Sequence, residues 1–219
     1  MTVPDRSLIY IGDPLCSWCW GFSDVMRQLE QRFVDRLPVV AIMGGLRPGP
    51  SAEPLNERMQ TFLRHHWEEV HSRTGQPVNY DFLDENEGLL MDTEIPCRAV
   101  VAFRSLNEPQ ALSYFRRVQL GMFAENRSAF DSEILADLAA ELGADRQRFL
   151  EEFGSQEAKD TTAADFEFAR QLGVNGFPSL MVKDATGYRV ATHGYRPLAD
   201  LVDPLEQWLA DSVDSHEAN

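Results

Sequence analysis

Two cysteines mark the point at which an apolar run gives way to an amphipathic helix. Residues 8–11 read as a buried strand, and Gly12-Asp13-Pro14 ends that run. The segment Cys16-Ser17-Trp18-Cys19 follows directly. Apolar residues then recur at helical spacing, at Phe22, Val25, Met26, Leu29 and Phe33. The sequence therefore predicts a strand, a tight turn, a Cys-x-x-Cys motif and a helix, in that order.

The predicted helix start gives the two thiols different tasks. Cys16 falls at the helix N-terminus, where unpaired backbone N–H groups and the helix dipole favour negative charge. The thiolate is the reactive species in thiol–disulfide exchange, so Cys16 is the predicted nucleophile. Cys19 lies one helical turn further on, close enough to form a disulfide with Cys16 and release a bound partner. Cys19 is therefore the predicted resolving thiol.

The same pair of cysteines has two other interpretations. Half of a zinc site would need further ligands, because zinc usually takes four, and a second Cys-x-x-Cys is absent. The cysteines could also be small buried residues without chemistry. The strand-to-helix context favours a redox pair over both alternatives, and no metal site is predicted.

A second motif near the end of the chain makes a family resemblance specific. Residues 174–182, Val-Asn-Gly-Phe-Pro-Ser-Leu-Met-Val, follow a predicted helix and open an apolar strand. Together with Cys16 and Cys19, this segment resembles the cis-proline segment of the DsbA-like branch of the thioredoxin superfamily. The resemblance implies a cis bond between Phe177 and Pro178, facing the cysteines, with the Phe177 backbone binding an extended substrate. The alternative is an ordinary trans proline at the start of a strand.

Two further segments narrow the resemblance within that branch. Residues 13–21 and 43–46 resemble the FrnE-like and predicted disulfide-isomerase proteins. They are also similar to the hydroxychromene-carboxylate isomerases and the kappa-class glutathione transferases. Those last two groups normally carry a serine and no second cysteine at this site. The presence of both cysteines favours thiol–disulfide chemistry over glutathione-assisted isomerisation.

The predicted fold class is α/β, a thioredoxin fold split by a large all-helical insertion. The apolar run 39–43 reads as a strand parallel to the first, reached by a right-handed crossover. From Gly44 to about Gly173 the pattern is almost entirely helical, and a hairpin and a final helix follow. The thioredoxin-like domain is therefore predicted to comprise residues 1–46 and 160–219. Residues 47–159 are predicted to form a helical lid beside the active site, as the DsbA-like resemblance implies.

Local signals predict where several helices begin or break. Thr93, Asp131 and Ser155 are placed as helix N-caps, because their side-chain oxygens can accept hydrogen bonds from unpaired backbone N–H groups. The final helix is predicted to begin at Pro197. Pro204 lies inside its apolar pattern, so a kink or a restart is predicted there.

Composition limits the partners and the compartment. The 219 residues carry a net charge of −15, which argues against nucleic acid or an anionic membrane as a partner. The chain lacks an apolar run long enough to span a membrane, and residues 1–6 lack the pattern of a secretory signal. Three cysteines suit a reducing compartment with one catalytic pair, so a cytoplasmic location is expected. The sequence leaves the oligomeric state open.

Several other residues carry a functional and a structural interpretation. Trp18 is either an aromatic platform for substrate or a ring that packs onto the lid. Cys97 is interpreted as a small buried residue rather than a third redox thiol. His65, His66 and His71 do not have the spacing of a metal-binding pair and are interpreted as a partly solvated face. Gly44-Gly45 either lets the chain turn out of the sheet or allows a ligand to approach closely.

Three functions from different classes follow from these observations. The first is a thiol–disulfide oxidoreductase or isomerase acting on protein or peptide disulfides, with no cofactor beyond the Cys16–Cys19 disulfide and with glutathione as a candidate co-substrate. The second is a glutathione-linked isomerase or transferase of small molecules. The third is a peptide-binding chaperone in which the cysteines are a redox switch. The direction of the redox chemistry depends on the reduction potential, which a sequence does not define.

Overall fold

The structure is a computed structural model that describes residues 3–217, with side chains described up to residue 211. Two short 3₁₀ turns, Gly49–Ser51 and Glu108–Gln110, join some of its elements. The strands and helices are, in chain order, β1 Ser7–Gly12, α1 Ser17–Phe33, β2 Val39–Met43, α2 Glu57–Thr74, α3 Asp81–Glu85, α4 Glu94–Leu106, α5 Ala111–Ala124, α6 Ser132–Ala140, α7 Arg146–Gly154, α8 Gln156–Gln171, β3 Ser179–Asp184, β4 Gly187–His193 and α9 Ala199–Glu217.

The four strands form one mixed sheet in the order β2-β1-β3-β4. β1 and β2 are parallel, and α1 is the crossover between them. β3 runs antiparallel to β1 and pairs with β4 as a hairpin, with an irregularity between Leu180 and Met181. The sheet therefore unites strands from both ends of the chain, and helices α2 to α8 lie between β2 and β3 in sequence. This is the predicted split α/β fold, whereas the exact domain boundaries at 46/47 and 159/160 stay a prediction.

The two faces of β1 belong to different apolar layers, because side chains alternate along a strand. Leu8 and Tyr10 join the larger core, which extends through α1 and the inserted helices. Ile9 and Ile11 join a smaller core on the opposite face, next to α8. The large core is rich in fully buried aromatic side chains, among them Trp20, Trp67, Phe103, Tyr114 and Phe123. The sheet and the inserted helices thus share one continuous hydrophobic core.

A buried ion pair fastens two helices to the sheet. The Arg104 guanidinium of α4 and the Asp165 carboxylate of α8 lie 2.9 Å apart, and both side chains are nearly inaccessible to solvent. Arg104 also donates to the carbonyl of Ala41, and the N–H of Met43 donates to Asp165. Both of those backbone groups belong to β2. The pair therefore holds α4 and α8 in register with the edge strand.

The structure corrects one of the predicted helix caps. Thr93 has helical dihedral angles, φ −75° and ψ −7°, and its side chain does not cap α4. Its hydroxyl instead accepts a hydrogen bond from the N–H of Arg47, and Asp92 accepts the N–H of Glu94. The prediction for Thr93 was wrong because a distant backbone group competes for its oxygen.

Two other N-cap predictions are confirmed, and the last helix begins slightly later than predicted. Asp131 and Ser155 are N-caps as predicted, and their side chains accept the N–H groups of Glu133 and Ala158 respectively. The last helix begins at Ala199, two residues after the predicted start, and continues through Pro204 without a restart. Among the described residues, no helix combines the length and the hydropathy that a membrane-spanning segment requires.

Candidate active site

Cys16 is the N-cap residue of α1. Its backbone is extended, with φ −74° and ψ 115°, and its Sγ accepts a hydrogen bond from the N–H of Cys19 over 3.2 Å. The Cys16 N–H in turn donates to the carbonyl of Asp13, which closes the turn after β1. A sulfur atom thus takes the position that a serine or aspartate oxygen usually occupies at a helix start. The helix dipole and this N–H group both favour negative charge on Cys16.

Cys19 has a different environment one turn further on. Its side chain is fully buried, whereas Cys16 retains 6% exposure. Burial raises the pKa of the Cys19 thiol well above its ordinary value, and the hydrogen bond and charge of Cys16 raise it further. Both cysteines are free thiols. The geometry therefore places the slightly more exposed sulfur at the helix start and a fully buried thiol behind it.

Phe177 and Pro178 reach this site from the far end of the chain. The Phe177–Pro178 peptide bond is cis. The Cys16 thiol donates to the carbonyl of Phe177, with 3.6 Å between Sγ and the oxygen. The Phe177 ring lies over Gly44, where an added Cβ would stand only 2.1 Å from the ring. Gly44 thus accommodates the close approach of Phe177. The sequence analysis had interpreted Gly44-Gly45 only as a turn or as a place where a ligand approaches closely.

A cleft of about 190 Å³ opens over Cys16. Its floor includes the cysteine and Phe177, and one wall comes from α2 of the insertion. Most of the lining is apolar, and its polar side chains come from Ser17, Arg47, His66 and Thr93. The Arg47 guanidinium lies 5.9 Å from the centre of the Phe62 ring, at the same wall. The cleft can therefore accept an apolar segment beside one positive charge.

His66 was missed as a site residue by the sequence analysis. It stands four positions after Phe62 on α2, and the two rings meet at a centroid distance of 4.4 Å. The spacing of four residues was a signal that both side chains share one helix face. The spacing of the histidines on α2 did not predict a metal-binding pair. Among the residues that the structure describes, no cluster of three or more His, Cys, Asp or Glu side chains is placed to hold a metal ion.

Trp18 packs between two segments while its remaining surface lines the cleft. Its ring lies 6.0 Å from that of Tyr195, which follows β4, and 5.2 Å from the Arg73 guanidinium of α2. Arg73 also lies 5.9 Å from the Tyr195 ring. The contacts match the packing interpretation of Trp18, and its half-buried position leaves part of the ring available to a substrate.

A buried carboxylate ties the redox turn to the insertion. Asp13 is fully buried and accepts the backbone N–H groups of Leu15 and Leu46, at 2.8 and 2.7 Å, and the thiol of Cys97 at 3.4 Å. Burial raises the pKa of Asp13, while the backbone hydrogen bonds oppose that shift. Cys97 is fully buried, as predicted, and burial raises the pKa of its thiol well above the ordinary value. The sequence did not reveal these contacts, because the partners of Asp13 lie in three different segments.

The fold and the dithiol define a protein of the DsbA-like branch of the thioredoxin superfamily, as the sequence predicted. The family model described as thioredoxin matches residues 9–202, and the chain belongs to that family. A solved structure of a candidate protein disulfide isomerase from Nitrosomonas europaea is 35% identical in sequence. The similarity covers 95% of this chain and 99% of that one, with a TM-score of 0.87.

Two further relatives differ in their described activities. DsbM, a cytosolic disulfide reductase of Pseudomonas aeruginosa solved with GSH, is 25% identical over 97% of this chain and 100% of its own, with a TM-score of 0.70. The ClpXP adapter protein SpxH of Halalkalibacterium halodurans is 22% identical over 205 residues. That similarity covers 90% of this chain but only 65% of the adapter's length.

Proposed function

We propose that the protein is a thiol–disulfide oxidoreductase that acts on protein or peptide disulfides through Cys16 and Cys19. The observation that carries this proposal is the placement of the Cys16 sulfur. It accepts the N–H of Cys19 at the start of α1 and faces the Phe177 carbonyl at the floor of an open cleft. A sulfur at this position accepts a hydrogen bond from the helix start and borders an open cleft, and both features suit attack on a disulfide.

The proposed reaction has two exchange steps. The Cys16 thiolate attacks one sulfur of the substrate disulfide, and the other substrate sulfur leaves as a thiolate and takes up a proton. Cys19 then loses its proton and attacks Cys16 Sγ in the mixed disulfide, which releases the second substrate thiolate. Two electrons pass from the dithiol to the substrate, and a Cys16–Cys19 disulfide forms. The reverse sequence oxidises a substrate, and the relative reduction potentials decide the direction.

The surroundings of the cleft suggest how a peptide would be held. An extended peptide laid across Cys16 would place a backbone N–H against the carbonyl of Phe177, in the manner of strand addition. Trp18, Phe62 and the Phe177 ring would cover apolar side chains on either side of its cysteine. In this proposal, residues 47–159 act as the lid and Pro178 keeps the Phe177 carbonyl facing the thiol.

Glutathione is the proposed thiol partner that renews the dithiol in the cytosol. Arg47 supplies a positive charge in the cleft that can bind one carboxylate of the tripeptide. The similarity to DsbM, a cytosolic reductase solved with GSH, supports the same partner and the same compartment. A role in protein binding is the second candidate, and the similarity to an adapter protein favours it over a small-molecule isomerase.

Thiol variants test the proposal directly. We expect the wild-type protein to reduce insulin disulfides with glutathione as the electron source, and Cys16→Ser to abolish this turnover. Cys19→Ser should accumulate a mixed disulfide at Cys16, which mass spectrometry detects. Cys97→Ser is the matched control and should retain turnover. Undiminished activity in Cys16→Ser would refute the proposal. If the wild-type protein shows no turnover and the Cys16→Ser/Cys19→Ser variant still binds peptides, these two results would support the binding function.

A further inference from the structure

A second cavity lies between α1 and α5, and it shares no lining residue with the cleft over Cys16. Its volume is about 220 Å³, and Tyr10 of β1 and Leu142, which follows α6, complete the lining. This volume is several times the roughly 30 Å³ that one water molecule takes up in the liquid, but it is smaller than the pockets of about 300–1,000 Å³ that bind drug-sized ligands. The cavity therefore suits a small metabolite.

The side chain of Gln119 lines this cavity without a hydrogen-bond partner. It is fully buried, and among the described residues neither its amide nitrogen nor its amide oxygen is paired. The buried hydroxyl of Tyr10, in the same lining, is also unpaired within the described chain. Buried polar atoms are almost always paired, so these groups point to a partner from outside the chain. A carboxamide matches Gln119, because it can donate to the Gln119 oxygen and accept from the Gln119 nitrogen at the same time.

Two of the charged side chains in the lining also lack a counter-ion. Arg27 and Arg117 form ion pairs with carboxylates outside the cavity. Glu30 and Arg116 form no ion pair with any residue that the structure describes, and the buried Nε of Arg116 has no hydrogen-bond partner there. Burial raises the pKa of Glu30, as expected for a carboxyl without a cation beside it. A ligand that carries both an ammonium and a carboxylate would supply both missing charges.

Most of the remaining lining is apolar. Met26, Leu112 and Phe115 are buried, and Leu120 and Leu142 are partly exposed. A wall of this kind favours methylene groups, because their burial removes apolar surface from water. A zwitterionic end, a short apolar stem and a carboxamide describe one class of small metabolite, the free α-amino acids with a carboxamide side chain.

We propose that the cavity between α1 and α5 binds a free L-α-amino acid with a carboxamide side chain, glutamine or asparagine. The Arg116 guanidinium binds the α-carboxylate, the Glu30 carboxylate binds the α-ammonium, and the carboxamide pairs with the Gln119 amide. The ligand is a free amino acid because a residue within a peptide carries at most one of these two backbone charges. The inference goes beyond the proposed redox function and does not depend on it, since none of these three residues lines the cleft over Cys16.

Isothermal titration calorimetry of the full-length protein with L-glutamine and with L-asparagine measures this binding directly. We expect saturable binding of at least one of the two amino acids. Arg116→Leu, Glu30→Gln and Gln119→Leu should each weaken that binding by at least about tenfold, because each removes a charged or buried hydrogen-bond partner of the ligand. L-methionine, which lacks the carboxamide, and N-acetyl-L-glutamine, which lacks the ammonium, should bind the wild type more weakly by a similar factor.

Two arginine variants separate this cavity from the rest of the protein. Arg148→Leu is the matched control, because it removes an exposed arginine that does not line the cavity, and it should bind like the wild type. Loss of binding in Arg47→Leu, with binding retained in Arg116→Leu, would place the amino acid in the cleft over Cys16 and overturn the inference. Absence of saturable binding by either amino acid would show that water alone occupies the cavity, and equal affinity for L-methionine would show that Gln119 does not recognise the ligand. Both results would also overturn the inference, and neither needs a variant that folds.

Discussion

The thiol of Cys16 donates a hydrogen bond to the backbone carbonyl of Phe177, although 161 positions separate the two residues. The contact joins the first helix start of the chain to the loop that precedes β3. It also places a backbone acceptor beside the proposed nucleophile, where an incoming peptide would compete for it.

Selective alkylation tests the different environments of the two thiols. We expect iodoacetamide near pH 7 to label Cys16 before Cys19, because the Cys19 thiol is fully buried and burial raises its pKa. Peptide mass mapping of the reduced Cys97→Ser variant measures both rates without interference from the third thiol. Labelling of Cys19 at the same rate as Cys16, or faster, would contradict the assignment of nucleophile and resolving thiol.

Gly44→Ala should disturb the site without touching a cysteine. The added methyl would lie 2.1 Å from the Phe177 ring, so the ring must move, and we expect the Phe177 backbone beside Cys16 to shift with it. Forced repacking of this kind costs about 1–3 kcal/mol, and we expect peptide-disulfide turnover to fall with it. Gly176→Ala is the matched control, because a Cβ there meets nothing within 4 Å. Equal activity in both variants would show that the Phe177 position is not critical.

Removing one partner of the buried ion pair should weaken the attachment of α4 and α8 to the sheet. In Arg104→Met the Asp165 carboxylate is left buried without its cation, which costs about 3–5 kcal/mol of unfolding free energy. Urea unfolding measures this loss. The double variant Arg104→Met/Asp165→Leu should be less destabilised than the single one, because no charge is left unpaired. A double variant that is as unstable as Arg104→Met would contradict the electrostatic explanation.

The buried Asp13 should make stability depend on pH. Its pKa in the folded protein is raised above the ordinary value of 3.8, chiefly by burial. The contribution of this carboxyl to folding is therefore fully present below pH 3.8 and is lost as the pH rises through its folded-state pKa. We expect the unfolding free energy of the wild type, relative to Asp13→Asn, to fall as the pH increases from 4 to 7. Cys97→Ser keeps a hydrogen-bond donor for Asp13, so we expect the same pH dependence in that variant. A difference between the wild type and Asp13→Asn that does not change with pH would refute the prediction.

Features that depend on neighbouring residues were predictable from the sequence. Apolar runs indicated β1 and the β3–β4 hairpin, and helical spacing indicated α1. The caps at Asp131 and Ser155 use N–H groups two or three residues away. Thr93 offered the same local signal and failed, because its hydroxyl bonds to Arg47, 46 positions earlier. The local signal is the same in both cases, and only the folded chain shows which partner is present.

The sequence by itself determined the class of fold and the two cysteines proposed to react, since the dithiol, the helix start and the proline segment are each short continuous motifs. Only the tertiary structure decided which groups surround them. Asp13, Gly44 and His66 take up their positions when segments from the sheet, the insertion and the last loop pack together. The physical reason is that burial and hydrogen-bond pairing depend on distances between remote segments, and those distances exist only after the chain has closed on itself.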